Sequence, residues 1–240
     1  MQPFHIFCTN PWIMPAEPPV IRKIFEDHGN IVRYEKGSAI SHGGKAGSVF
    51  LLKKGLVTFG YLDAQEVYRV LSLITPGRTV GDLDSLDQRP CGIIAECLKP
   101  SELYVLTHEE WLKNIRSNVE VMEAYALSAN RKHQCSMEGM IANYTQPLEM
   151  RLRFLLLALI ESHYPLKVDG WNPSPVPLSI TDISHLVASS RPWVSRTMSH
   201  WMKEGLMKKD GRIRSYHGSL LSSLLDPTEK SVSDDGCRTC

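Results

Sequence analysis

Between residues 31 and 106 the chain is written in short β-rich runs, IVRYEKGSAI, SVFLLKKGLVTFGYL, VYRVLSLITPG and GIIAECLKPSELYVL, punctuated by glycine and proline. Runs this short cannot bury a face alone. With no helical period competing, they are expected to pair into an antiparallel roll or sandwich. After residue 106 the pattern changes. Thr107-His108-Glu109-Glu110 and Ser117-Asn118-Val119-Glu120 both have the S/T-x-x-E form, in which a hydroxyl and a carboxylate satisfy free helix-start amides. Two helices are expected to begin there. In the second, over 118–144, Met122, Ala126, Ala129, His133, Ser136 and Met140 recur at alternating four and three spacing. That is the seam of a dimeric coiled coil, with His133 and Ser136 as polar members. A plain core helix of one domain is the other reading, and both stand at this point.

Pro147 breaks the helical pattern, LEMRLRFLLLALIESH reads as a strongly apolar helix, and VDGWNPSPVP as a proline-rich connection. The expected organisation is a roll with its long helix over 1–145, a second domain over 146–220 and a polar tail over 221–240. A chain of 240 residues with 42% hydrophobic content can build two such cores. The longest apolar run, 154–160, falls far short of the roughly 20 residues a spanning helix needs. The start, MQPFHIFCTNPWIMP, lacks a signal-peptide pattern, so a cytoplasmic protein with no membrane partner is expected. Cys8, Cys91, Cys97, Cys135, Cys237 and Cys240 are scattered in a chain that has cores without them, which favours thiols over a disulfide framework.

The segment 178–217 reads as two short helices, a tight turn and a hairpin. Ile183, Leu186 and Val187 give the first helix an inward face; Ser190 is placed to cap the second, where Pro192 is tolerated in the first turn. Val194, Met198, Trp201 and Leu206 then point inward, leaving Arg191, Trp193, Ser195, Arg196, Ser199 and Lys203 outward. Asp210-Gly211 is a two-residue hairpin signal that sets Lys208, Lys209, Arg212 and Arg214 around a wing. The whole chain is nearly neutral, at +1, but this segment holds seven basic residues against three acidic, a surplus of four. Arginine can donate two hydrogen bonds to guanine in the major groove, while wing lysines and arginines neutralise phosphates. Double-stranded DNA is therefore the expected partner. Trp193 is open to two roles, contact with a thymine methyl or sugar, or packing on the preceding helix.

The order of roll, long helix, hinge and helix-turn-helix resembles the Crp/Fnr family of transcription regulators over roughly residues 30 to 218. Its carriers are YEKGSAISHGGKAGSVFLLKKGLVTFG, ITPGRTVGDLDSL and VASSRPWVSRTM. The resemblance implies an α+β architecture: an N-terminal antiparallel β-roll of the cyclic-nucleotide-binding, jelly-roll type, a dimerisation helix and a C-terminal winged helix-turn-helix. It also implies a homodimer on an inverted-repeat site, with RNA polymerase as a further partner if the regulator activates. Arg191 and Arg196 match the family's base-contacting arginines, and Ser190 matches the residue before the recognition helix. The family's acidic base reader after the first arginine is Pro192 here, which puts the usual family target in doubt. Met122, Ala126, Ala129, His133 and Met140 are the expected dimer contacts.

For an effector, Gly81-Asp82-Leu83 keeps the start of the family's nucleotide segment. The later stretch, Gln88-Arg89-Pro90-Cys91-Gly92, lacks the Arg-Ser pair that holds a cyclic phosphate in nucleotide-binding relatives. An anion pocket needs charge and aligned donors together, so gating by cyclic AMP is not expected. Gly81, Asp82, Leu83, Arg89, Cys91, His133 and Ser136 are the candidate pocket for some other effector, of unknown identity, or for none. Cofactors and metals are not expected: His5, His42, His108 and His133 have no ligand spacing, and Cys8 alone makes no iron-sulfur cluster. Cys237-x-x-Cys240 has the spacing of a redox or metal pair but no second pair beside it. No enzymatic motif occurs. A ligand-binding signalling subunit whose roll no longer serves DNA binding is the alternative function.

Overall fold

β-branched and aromatic runs stopped by glycine turns form eight antiparallel strands in the first half of the chain. The structure is a computed structural model, described at residues 10–44, 47–83, 85 and 91–224. These residues divide into two units, within Thr9–Tyr144 and within Thr145–Cys240. The element order of the first is α1 (Pro19–His28), β1 (Asn30–Tyr34), β2 (Ala39–Gly44), β3 (Ser48–Lys54), β4 (Val57–Leu62), β5 (Tyr68–Ile74), β6 (Thr79–Val80), β7 (Cys91–Cys97), β8 (Ser101–Thr107), α2 (His108–Arg116) and α3 (Val119–Thr145).

One sheet has the order β1-β8-β3-β6 and the other β2-β7-β4-β5. Their inner faces meet over Phe50, Leu52, Val57, Ile74, Ala95 and Leu103. The apolar run Val49-Phe50-Leu51-Leu52 is buried on both faces of β3: Phe50 and Leu52 enter this core, while Val49 and Leu51 pack with Ile21 and Phe25 of α1, Trp111 of α2 and Tyr125 of α3. Gly55, at φ +115°, turns β3 into β4 where a Cβ would lie 2.2 Å from Ser101 Oγ, so no other residue fits without displacement. α1 has no counterpart in the sequence expectation, although Pro18-Pro19 followed by Ile21, Ile24 and Phe25 is a helix-start signal with an apolar face.

The Thr107 capping box is formed, its hydroxyl accepting from the Glu110 amide and the Glu110 carboxylate accepting from Thr107. The second expected box is not. Ser117 ends α2, donating to the Asn114 carbonyl, and Asn118 Oδ1 accepts from the Glu120 amide in its place. Asn118 is one residue closer to the helical backbone, and a carboxamide caps as well as a hydroxyl.

α3 buries Val121, Tyr125, Ser128, Lys132, Cys135, Glu138, Gly139 and Ala142. The residues expected in a dimer seam divide between half-buried and exposed positions. Met122 is half-buried against the cluster of Ile21, Phe25 and Trp111, and Ala129 is also half-buried, while Ala126, His133 and Met140 are exposed. The exposed large apolar residues of α3 include Leu127, Met137, Met140 and Tyr144. The roll thus takes up Met122 and leaves Ala126, His133 and Met140 open to solvent.

The second unit contains α4 (Leu148–Glu161), β9 (Trp171–Pro173), α5 (Ile180–Leu186), α6 (Arg191–Lys203), β10 (Met207–Asp210), β11 (Ile213–His217) and α7 (Ser219–Ser222). The expected connection over 168–177 instead contributes β9, which pairs with β11 in a β10-β11-β9 sheet. Asn172, fully buried, fixes it by bonding Lys167 N and O and the Gly170 carbonyl. Among the described residues no helix is long and apolar enough to cross a membrane, and no group of His, Cys, Asp or Glu could hold a metal ion. Cys97 and Cys135 are buried free thiols. His5, Cys8, Cys237 and Cys240 lie outside the described residues.

Candidate nucleic-acid interface

α5 starts at a capping box between Ser179 and Asp182 and buries Ile183, Ser184 and Leu186. α6 packs over it through Val194, Met198 and Trp201, spaced four and three so that one face of a 3.6-residue helix is inward. Leu206, expected as part of that face, lies beyond the helix, which stops at Lys203 ahead of Gly205 at φ +71°. Ser190 stands at the N-cap with extended backbone, but its side chain makes no capping bond; it is exposed instead.

This packing leaves Arg191, Trp193, Ser195, Arg196, Ser199 and Lys203 all exposed along the outer side of α6. The Arg196 guanidinium lies 5.1 Å from the Trp193 ring centroid, so the two form one cationic and aromatic patch. Trp193 is 58% exposed and lies outside the buried inner face of α6.

The expected hairpin forms, with Lys208 opposite Ser215 and Lys209 opposite Arg214, but Asp210 pairs with Ile213, so its two turn residues are Gly211 and Arg212, one position later than expected. Gly211, at φ +55°, supplies the left-handed turn residue. Lys208, Lys209 and Arg212 are exposed, and Lys208 Nζ sits 4.2 Å over the Trp171 ring of β9. Arg214 departs from its expected role: it is half-buried, and its Nη1 donates to the Leu178 carbonyl at 2.6 Å. It ties the wing to the segment before α5. Trp171, in the segment expected as a connection, is the platform for Lys208.

Of the effector candidates, Asp82 lies in a buried polar cluster. Asp82 is 2% exposed, and its carboxylate accepts from Lys132 Nζ of α3 at 2.7 Å. Lys132, itself fully enclosed, also pairs with Glu17 Oε1 and donates to Thr79 Oγ1 at 2.5 Å. Glu17 further accepts from Thr79 Oγ1 at 2.6 Å and Ser128 Oγ at 2.7 Å. Burial by itself would push the Lys132 amine down, but the facing Asp82 and Glu17 carboxylates outweigh it and hold the amine above its ordinary value. His133 is exposed and Ser136, one turn after Lys132, is half-buried. Arg89 and the Cys91 side chain lie outside the described residues.

Glu17 ends a strap that runs beside the roll. Met14 N donates to the Leu73 carbonyl, and Leu73 N to the Trp12 carbonyl. Trp12, 1% exposed, lies where a Cβ on Gly139 would come within 3.1 Å of its ring, so glycine makes room for the indole against α3. The Cys135 thiol donates to the Asn10 and Ile13 carbonyls at 3.3 Å, and burial pushes it up to about 12. Lys132 is not legible as a buried residue in the sequence, because a lone lysine in a helix is ordinarily solvated. Its spacing of 4 from Ser128 and 3 to Cys135 was the available signal.

Residues 31–118 match the cyclic nucleotide-binding domain, and residues 150–217 the Crp-like helix-turn-helix domain. Among solved structures, FixK2 from Bradyrhizobium japonicum is similar with a TM-score of 0.71 at 18% identity, over 82% of this chain and 96% of that one. The c-di-GMP responsive global regulator CLP from Xanthomonas campestris gives 0.66 at 16% identity, over 83% and 99%. A transcriptional regulator of the CRP family from Thermus thermophilus gives 0.62 at 22% identity, over 80% and 95%. No curated protein matches the sequence.

Proposed function

Because the chain belongs to the Crp/Fnr family of transcription regulators, a DNA-binding class, we propose that it reads an inverted-repeat site as a homodimer without gating by cyclic AMP. The observation that carries the reading is the unbroken exposed row of α6, Arg191, Trp193, Ser195, Arg196, Ser199 and Lys203, over a fully buried inner face. In a major groove the helix start meets base edges first, which makes Arg191 and Arg196 the readers. Trp193 stacks on Arg196 and offers an apolar edge to a thymine methyl. Lys208, Lys209 and Arg212 serve as phosphate anchors.

A dimer places two such helices about 34 Å apart, one turn of DNA. The exposed Leu127, Met137, Met140 and Tyr144 of α3 are the apolar surface that a second copy would cover, with Ala126 and His133 beside them. Independence from cyclic AMP is supported by the Lys132 cluster. Asp82, Thr79 and Lys132 satisfy one another, and a buried phosphate without its own cation and donors is opposed by several kcal/mol of desolvation.

Readers and anchors have separable signatures. Arg196→Ala is expected to cost about 1–3 kcal/mol on the preferred site and little on random DNA, since a base contact is lost. Lys208→Ala should weaken every sequence alike and lower the salt slope by about one. Fluorescence anisotropy across a salt series measures both. Equal loss for every sequence in both variants would reject the division of labour.

A further inference from the structure

The turn between α5 and α6 contains a residue in a conformation it does not favour. Ala188 has φ +46°, one of three non-glycine positive values among the described residues. The Ser189 amide donates to the Ser184 carbonyl at 3.0 Å and the Ala188 amide to the His185 carbonyl at 3.3 Å. This is the six-to-one and five-to-two pair of a Schellman ending, whose left-handed position is ordinarily glycine because a Cβ is sterically opposed there. Only Ala188, Ser189 and Ser190 separate the Val187 C-cap from Arg191, so the path of α6 depends on holding that conformation.

One side chain from another helix engages this turn. Arg151, in the first turn of α4, donates from Nη1 to the Val187 carbonyl at 2.5 Å and reaches the Ala188 carbonyl at 3.3 Å. Both carbonyls lie past the last intrahelical bonds of α5 and need donors from elsewhere. A guanidinium there also faces the negative end of the helix.

We infer that Arg151 is a positioning residue for DNA reading: it clamps the strained Ala188 turn and so aims the N-terminal end of α6. Arg151 has no part in the base or phosphate contacts assigned above, and the inference rests on that assignment for its DNA readout. The clamp and the alanine are linked. A glycine at 188 would accept the same backbone without opposition, and the turn would then need the clamp less.

The experiment compares the full chain with Arg151→Met, Arg151→Lys, Ala188→Gly and the double variant Arg151→Met with Ala188→Gly. Affinity is read on the selected site and on random DNA across a salt series. Amide hydrogen exchange at Ala188 and Ser189 is followed without DNA. Arg151→Met is expected to lose at least about tenfold on the selected site, with the salt slope unchanged, and to expose both amides to faster exchange. Arg151→Lys should recover part of this, and adding Ala188→Gly to Arg151→Met should recover most of it. A salt slope lowered by about one with no rescue by glycine would make Arg151 a phosphate contact and overturn the inference. Unchanged exchange and unchanged affinity in Arg151→Met would also overturn it. Should Arg151→Met not fold, the same comparison is made with Arg151→Lys, where failure of Ala188→Gly to restore exchange protection counts against the clamp. If the unaltered chain binds no DNA, the functional assignment falls, while the exchange data still decide the clamp.

Discussion

Lys132→Met is expected to destabilise the first unit by about 3–5 kcal/mol, because it leaves two buried carboxylates with no cation between them. Glu17 and Asp82 are 3% and 2% exposed, so water cannot replace the lost amine. The cluster joins pieces distant in sequence: Glu17 from the strap, Thr79 and Asp82 from the roll, and Ser128 and Lys132 from α3. Neutralising the carboxylates together with the amine, as Lys132→Met with Glu17→Gln and Asp82→Asn, should recover much of the loss, since a missing pair is cheaper than a broken one. The pH sense follows from the raised Lys132 value. Its contribution is fully present below lysine's ordinary range and is lost only as pH climbs through the higher folded value, so neutral and mildly alkaline solutions retain it. Urea unfolding followed by the fluorescence of Trp12 and Trp111 measures the effect. A Lys132→Met midpoint equal to that of the unaltered chain would show that the cluster contributes nothing.

Trp201→Ala should cost the second unit about 3–5 kcal/mol, the usual range for emptying a buried aromatic site. Trp201 is 1% exposed and belongs with Val194 and Met198 to the inner face of α6, not to the outward row. Loss of DNA binding in this variant should therefore track unfolding on heating, with near-normal affinity at temperatures where the unit remains folded. Trp201→Phe should be far milder: among the described residues the indole Nε1 has no hydrogen-bond partner, so the smaller ring forfeits volume but no bond. Melting curves by circular dichroism, paired with binding at two temperatures, distinguish the cases. If Trp201→Ala melted normally yet bound nothing, its role would lie in the interface.

Trp201 and Lys132 are residues of opposite legibility. Trp201 was readable because Val194, Met198 and Trp201 repeat at helical spacing between polar neighbours, and the strands of the roll were readable because glycine stops them. The wing hairpin, read one residue early at Asp210-Gly211, and the Thr107 box were likewise local, and local chemistry needs no knowledge of the rest of the fold. Lys132 was invisible for the converse reason: its partners lie 115 residues before it and about half that distance before it, at Glu17 and Asp82, and only the tertiary fold brings them together. The same applies to Met122, whose side chain the roll claims from the expected seam, and to Arg214, which meets the Leu178 carbonyl 36 positions away. Ser117 and Asn118 mark a smaller failure, in which two adjacent polar residues could each cap a helix and backbone geometry chose the second.

The most direct test of sequence-specific DNA binding is selection of bound duplexes from a random pool by the full chain, with and without cyclic AMP, in parallel with Arg196→Ala. The account predicts an inverted repeat with half-sites about one helical turn apart, identical whether or not the nucleotide is present. It predicts that Arg196→Ala relaxes the preference at one base pair in each half-site while leaving the others intact. Recovery of no enriched sequence, or of the same sequence at full stringency by Arg196→Ala, would contradict it.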